Sequence, residues 1–256
     1  MNDSSAPLRI LTVDIGGTGI KAAVLDRDGN LLTTRVRVPT PVPCAPELLV
    51  NTITELVEPL RAPEDFTCVS VGFPGVVRGG KILTAPNLGT ALLAGFDLAG
   101  ELAGRFHRPV RLLNDADLQA LATVAGHGLE LVITLGTGLG SALFIDGRLM
   151  PHLELSMHPF HKGKIYNDVL GDAARKKLGR KKWNRRVQLA IDTLRTLTNF
   201  DHLYIGGGNS QRVTLELPPD VSLVSNENGL RGGAGLWQRE DGLPVALGPA
   251  AASAAA

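Results

Sequence analysis

The stretch LRILTVDIGGTGIK, Leu8 to Lys21, decides how this chain is read. Its apolar run stops at Asp14 and meets a glycine-rich turn, and Ala22 to Leu25 is apolar again, so two short paired strands are predicted. Glycines at 16, 17 and 19 let backbone N–H groups come close to phosphate oxygens. Thr18 adds a hydroxyl, Lys21 a positive charge, and Asp14 can hold a metal ion through water. No Gly-Lys-Ser/Thr follows at P-loop spacing and no helix follows the turn, so the motif is not a P-loop. Taken alone it also fits a glycine hairpin with no special purpose.

Working outward, the same design recurs. Leu129 to Leu135 predicts a strand, Gly136-Thr137-Gly138-Leu139-Gly140 a second glycine-rich turn, Ser141 to Ile145 another strand, and Asp146-Gly147 a hairpin into Arg148 to Met150. Two such loops, one in each half, are expected to face each other across a cleft and grip one phosphate chain. A third cluster, Gly206-Gly207-Gly208-Asn209, ends the predicted strand Leu203 to Ile205, where the backbone can approach a flat nucleotide.

Between these motifs the chain alternates strands and helices. Asp28-Gly29-Asn30 is a turn signal and Leu31 to Val38 a third, antiparallel strand. Leu48 to Leu60 carries apolar residues at helical spacing, Cys68 to Phe73 is a strand ending on Pro74-Gly75, and Leu98 to Phe106 is a helix. Helices are also predicted from about Lys181 to Leu197 and from Gly229 to Gln238.

The strand Val110 to Leu113 ends on Asn114 and Asp115. A carboxylate there can accept a proton from an attacking hydroxyl while Asn114 binds a neighbouring one, as phosphoryl transfer to an alcohol requires. Asp117 competes as the base, and an N-cap role for Asp115 or Asp117 is the alternative.

Composition bounds the rest. With 256 residues, 44% hydrophobic but only 4% aromatic, the interior must be built from Val, Leu, Ile and Ala, which suits an α/β protein. Cys44 and Cys68 have no short spacing and no Cys/His cluster around them, so reduced thiols and no structural zinc are expected. No stretch approaches a membrane span and the N-terminus lacks a signal-peptide pattern, so a cytoplasmic enzyme with no membrane partner is expected. Charge is uneven: ten of the 26 basic residues but only two of the 25 acidic ones lie between His161 and Arg186.

The ordered motifs DIGGTGIK (14–21), GFPGVV (72–77), APNLG (85–89), LNDAD (113–117), ITLGTGLGSALFIDG (133–147), LEL (153–155) and IGGGNS (205–210) resemble the ROK family of sugar kinases, and within it the polyphosphate glucokinases. The resemblance covers roughly residues 8 to 238. It implies a two-lobed actin-like ATPase (ribonuclease H-like) fold with a central cleft, residues 1–113 in one lobe and 114–229 in the other, and the helix 229–238 returning to the first. Residues 239–256, ending in an alanine run, are expected to be a disordered tail.

By that likeness Asp14, Gly16, Gly17, Thr18 and Lys21 form the first phosphate loop. Gly136, Thr137, Gly138 and Gly140 form the second, and Gly206, Gly207 and Gly208 border the adenosine. Asp115 is the base on the sugar 6-hydroxyl, and Asn87, Asn114 and Glu154 bind ring hydroxyls. The implied cofactor is Mg²⁺, held by Asp14 through water, and the implied assembly a homodimer.

Two departures stand out. The family commonly reads Glu-x-Gly-His at the sugar site, whereas Glu154-Leu155-Ser156-Met157 places a thioether where the imidazole is expected, with His158 next in line to supply the contact. The Cys-rich zinc motif of many members is missing, as it is in polyphosphate glucokinases. The basic run Arg175 to Arg186 can hold polyphosphate as a linear polyanion or be a solvated helix face, so polyphosphate and ATP both stand as donors to glucose or a related hexose. Nucleic acid is not expected: beyond Trp183 no aromatics interleave the charges, and about seven residues before the first strand are too few for a helix-turn-helix domain. The alternative function is a non-catalytic or altered-specificity sugar-binding protein.

Overall fold

The computed structural model describes residues 7–61, 65–225, 229–239 and 241–249. The chain divides into two compact units, Met1–Leu121 with Gly229–Leu247 and Ala122–Asn228 with Gly248–Ala256.

In the first unit the order is β1 (Ile10–Ile15), β2 (Ile20–Leu25), β3 (Val36–Val38), α1 (Pro46–Val57), β4 (Cys68–Phe73), the hairpin β5 (Val77–Arg78) and β6 (Lys81–Ile82), α2 (Thr90–Leu93), α3 (Leu98–Phe106), β7 (Val110–Asn114) and α4 (Asp115–Ala120). The sheet order is β3-β2-β1-β4-β7, antiparallel through β1 to β3 and parallel from β1 to β7. Every residue of β1 and β4 is buried, which explains their unbroken apolar runs: a strand covered on both faces has no polar side to alternate. Helix α1 opens on Pro46, whose missing N–H is not needed in a first turn, and buries Leu49, Ile53 and Leu56.

The second unit repeats this plan. Its elements are β8 (Leu129–Leu135), β9 (Leu139–Ile145), β10 (Arg148–Leu149), the hairpin β11 (Pro159–His161) and β12 (Lys164–Ile165), α5 (Tyr166–Leu170), α6 (Asp172–Leu178), α7 (Arg180–Thr198), β13 (His202–Gly206) and β14 (Val221–Leu223). The sheet order β10-β9-β8-β13-β14 again begins with an antiparallel meander and ends with parallel strands. Trp183, Val187, Ile191 and Leu194, at helical spacing on α7, pack with Leu131, Ile133, Leu203 and Ile205 from the sheet.

Four expectations are corrected. The third strand shrinks to Val36–Val38 because the Thr33 hydroxyl accepts the Val24 N–H at 3.0 Å, taking a donor the ladder would have used. The first unit runs on through Leu121 rather than ending at 113, because α4 packs onto it: a Cβ on Gly72 of β4 would meet the Leu118 side chain at 2.9 Å.

The predicted helix 229–238 is instead a 3₁₀ stretch, Arg231–Trp237. Its glycines allow a close approach to the first unit's other elements: a Cβ on Gly232 would lie 1.7 Å from the Leu118 carbonyl oxygen, and one on Gly233 would lie 2.1 Å from the Thr12 hydroxyl. Trp237 Nε1 donates to Ser70 Oγ at 2.8 Å, and the Arg111 guanidinium sits 4.0 Å over the Trp237 ring.

The expected disordered tail begins too early. Among residues 241–249 the Val245 N–H donates to Gly235 O (3.1 Å) and the Leu247 N–H to Leu121 O (2.8 Å). Residues 240 and 250–256 lie outside the described residues.

Candidate active site

The first glycine loop is a closed turn. The Gly16 N–H donates to Gly19 O at 3.0 Å and the Thr40 hydroxyl to Gly16 O at 2.6 Å, leaving Gly17 and Thr18 exposed at the tip. Two cations flank it. Lys21 is directly across the ladder from Asp14, with Nζ 3.6 Å from Oδ2, and Arg37 is directly across from Lys21 on the next strand. The Arg37 guanidinium crowds Gly19 so closely that a Cβ there would meet it at 2.7 Å. Sequence reading missed Arg37, which looked like one solvent-facing residue of an alternating strand.

Asp14 is 5% exposed, and its Oδ1 has no hydrogen-bond partner. Burial pushes its carboxyl above the usual range, while Lys21 and a hydrogen bond from Gln119 pull the other way. A buried carboxylate oxygen without a donor is costly, and a hard divalent cation relieves that cost. The residues present therefore fit such an ion. Among the described residues no group of three or more His, Cys, Asp or Glu could hold a metal alone, so the ion would share Asp14 with water and donor oxygens.

Strand register carries Asp14 to the candidate base. Asp14 pairs with Gly72 and Gly72 with Leu113, so the three lie in one row across β1, β4 and β7, two strand spacings or about 10 Å wide. Asn114 and Asp115 follow at the same carboxyl edge. The N-cap of α4 is Asn114, not Asp115 or Asp117: its Oδ1 accepts from the Ala116 and Asp117 N–H groups (2.8 and 3.2 Å), and its Nδ2 donates to Gly75 O (3.1 Å). Its oxygen is thus committed to the helix N-terminus. Asp115 keeps solvent access whereas Asp117 is 2% exposed, which separates the two competing carboxylates. Asn87 adjoins the phosphate loop, its Cβ 3.6 Å from where a Gly17 Cβ would stand.

The second loop closes in the same way, Gly136 N–H to Gly138 O at 2.9 Å, with Thr137 exposed. Amides brace it. Asn167 Oδ1 accepts the Leu139 N–H (3.1 Å), Asn209 Nδ2 donates to Gly136 O (3.1 Å), and the Asp172 N–H donates to the same oxygen (3.0 Å). The third glycine cluster abuts it: Gly207 has φ +84°, and a Cβ there would lie 2.4 Å from Leu135 O. Helix α6 therefore starts against the loop and leads into the basic run. Asp172 pairs with Lys176 and Arg175, both at 2.7 Å, and these two hold its carboxyl down at about 2.

Glu154 lies elsewhere in the second unit, before a single 3₁₀ turn, Leu155–Met157. The Ser156 hydroxyl donates to its Oε1 at 2.6 Å, and His152 Nε2 faces its Oε2 at 3.6 Å. The nearby His152 imidazole outweighs burial and, with the Ser156 hydroxyl, holds the carboxyl below its usual range. Met157 is 59% exposed, and the His158 ring is 6.1 Å from the Tyr166 ring. An imidazole does face Glu154, that of His152, a residue sequence reading passed over. Its one signal was the i, i+2 spacing, which puts both side chains on one side of an extended segment.

The family model for the ROK family matches residues 10–151. The polyphosphate glucokinase of Mycobacterium tuberculosis strain H37Rv is 32% identical over 220 residues, 80% of each chain. Among solved structures, the inorganic polyphosphate/ATP-glucomannokinase of Arthrobacter sp. strain KM is 34% identical, with a TM-score of 0.79 over 89% of this chain and 97% of that one. A ROK family glucokinase from Streptomyces griseus, solved with glucose and AMPPNP, shares the fold at 21% identity, with a TM-score of 0.71 over 88% of this chain and 98% of that one.

Proposed function

The chain belongs to the ROK family and is a phosphotransferase acting on a hydroxyl group, and from that premise we propose that it transfers the terminal phosphoryl group of polyphosphate or ATP to the 6-hydroxyl of glucose or a related hexose. One observation carries the reading: parallel register aligns Asp14, beside the first phosphate loop, with the strand end that presents Asp115. Asp115 accepts the proton of the attacking hydroxyl, and the ring is oriented by Asn87, which both donates and accepts hydrogen bonds, and by Glu154, which accepts them. Lys21, Arg37 and the N–H groups of Gly17 and Thr18 are assigned to donor oxygens. Gly136 to Gly140 are assigned to donor phosphate as well, and Gly206 to Gly208 to the nucleoside when ATP is used.

A divalent metal, proposed to be Mg²⁺, neutralises donor charge when bound, and Asp14 would hold it. The enzyme is proposed to work in the cytoplasm as a homodimer with no nucleic-acid partner; no helix among the described residues is long and apolar enough to cross a membrane.

Polyphosphate is favoured as a donor by the path of α6, which begins on the second loop and feeds Arg180, Lys181 and Lys182 of α7 into the same run. A coupled assay with glucose and either donor tests the whole reading, and no sugar phosphate with either would overturn it. Replacing Lys181, Lys182, Arg185 and Arg186 by Ala is expected to raise the polyphosphate KM and flatten its salt dependence while sparing ATP. An unchanged polyphosphate KM would remove the basic run from the donor site.

A further inference from the structure

The carboxylate of Glu154 is gripped from both sides by its own loop. Ser156, 8% exposed, donates its hydroxyl to Oε1 at 2.6 Å, a short bond of the kind made to an ionised acceptor. On the other oxygen stands His152, its side chain only 12% exposed, with Nε2 3.6 Å from Oε2. That distance is a close contact slightly longer than a formed hydrogen bond. A carboxylate so placed cannot rotate without losing one partner, and Oε2 retains lone-pair capacity for a further donor. The loop is tied down as well: the Ser141 hydroxyl donates to Leu153 O (2.8 Å), and the His158 N–H to Leu155 O (3.1 Å).

None of this uses the position where the family's imidazole is expected. Met157 points to solvent, and no thioether could donate to a carboxylate or a sugar hydroxyl. His152 instead approaches Glu154 from the N-terminal side, two residues before it rather than three after.

We propose that His152 is a positioning residue for acceptor recognition: it fixes the rotamer and charge of Glu154 so that Oε2 presents a directed acceptor to a pair of sugar hydroxyls. The inference rests on the reading of Glu154 as a sugar-binding residue. His152 acts through Glu154, so its role lies in acceptor affinity and not in the phosphoryl-transfer step. Sugars lacking the hydroxyl that meets Oε2 are discriminated against because they leave an acceptor position of the partly exposed carboxylate unmatched.

The experiment is a double-mutant cycle with His152→Ala and Glu154→Gln, reading the glucose KM and kcat at saturating donor and glucose affinity by calorimetry without donor. Expected for His152→Ala is a roughly tenfold weaker glucose affinity with kcat and donor KM unchanged, and partial rescue in His152→Gln, whose amide can still donate. In the Glu154→Gln background, His152→Ala should add little. Full additivity, or a fall in kcat at unchanged KM, would overturn the positioning role. Unchanged glucose affinity in Glu154→Gln alone would instead refute the sugar-site reading beneath it. Should His152→Ala fail to fold, His152→Gln and the Glu154 variant still decide: glucose KM and affinity like wild type in both would overturn the proposal.

Discussion

The two glycine loops sit at equivalent places in two sheets of the same topology, yet they are built from different chemistry. The first is electrically loaded: a buried carboxylate, Asp14, and two cations, Lys21 and Arg37, lie across neighbouring strands. The second carries no charged side chain between Gly136 and Gly140 and is held in shape by Asn167, Asn209 and the Asp172 N–H. Its cations come from the helix that starts against it. One strand-turn-strand plan thus carries a loop flanked by charge and a loop braced by neutral hydrogen bonds, so the fold alone does not say what each contributes.

The comparison can be broken at four points. Asp115→Asn removes the proposed base of the first unit, and kcat is expected to fall by about 10³-fold with the melting temperature held, the order typical of general-base loss. Residual turnover within tenfold of the parent would exclude Asp115 from that role.

Asp14→Asn tests the charged loop. Turnover should drop about 100-fold, matching the loss of a few kcal/mol of charge stabilisation. The apo protein should nonetheless melt a few degrees higher. The sign follows from burial: the folded carboxyl titrates above its unfolded value of 3.8, so ionisation weighs against the native state as pH rises through that interval. Stabilisation of the parent by added Mg²⁺ should vanish in the variant, as thermal scans would reveal.

Gly138→Ala tests the shaped loop. The new methyl would stand 2.0 Å from Asn167 Oδ1, so stability should fall by about 1–3 kcal/mol and the donor KM rise about tenfold with the sugar KM preserved. If both loop variants lowered stability alike, the distinction between charge and shape would fail.

The smallest effect concerns Asp172. Its carboxyl is depressed to about 2, so whatever it contributes is present above 3.8 and lost as pH falls from there towards 2. The ion pairs are exposed, so an acid titration of Asp172→Asn should differ from the parent only slightly, and only in that window.

Much of this was legible in the sequence because the informative residues are local. Buried strands such as Ile10–Ile15 and Cys68–Phe73 are continuous apolar runs cut by glycine or proline, and a loop that must meet phosphate advertises its glycines. The C-terminal segment was misread because RGGAGLW carries apolar residues at helical spacing. Its glycines, however, answer to Thr12, Leu118 and Val245, the first two of them remote in sequence. Arg37 and His152 escaped for a related reason. Each matters through one neighbour, Gly19 or Glu154, and nothing in a strand or loop of ordinary composition marks which neighbour that will be.

That C-terminal segment also sets an order of events during synthesis. The first sheet begins at Ile10, yet the surface formed by Thr12, Ser70 and Arg111 receives its cover only from residues 231–237, which leave the ribosome after the whole of Ala122–Asn228. At typical elongation rates that interval is roughly 5–20 s. During it the nascent first unit displays an uncovered face on which Ile10 and Cys68 lack their contacts with Ala234 and Trp237, so a chain truncated before Gly229 should be a client for chaperones and proteases even though both glycine loops are already complete.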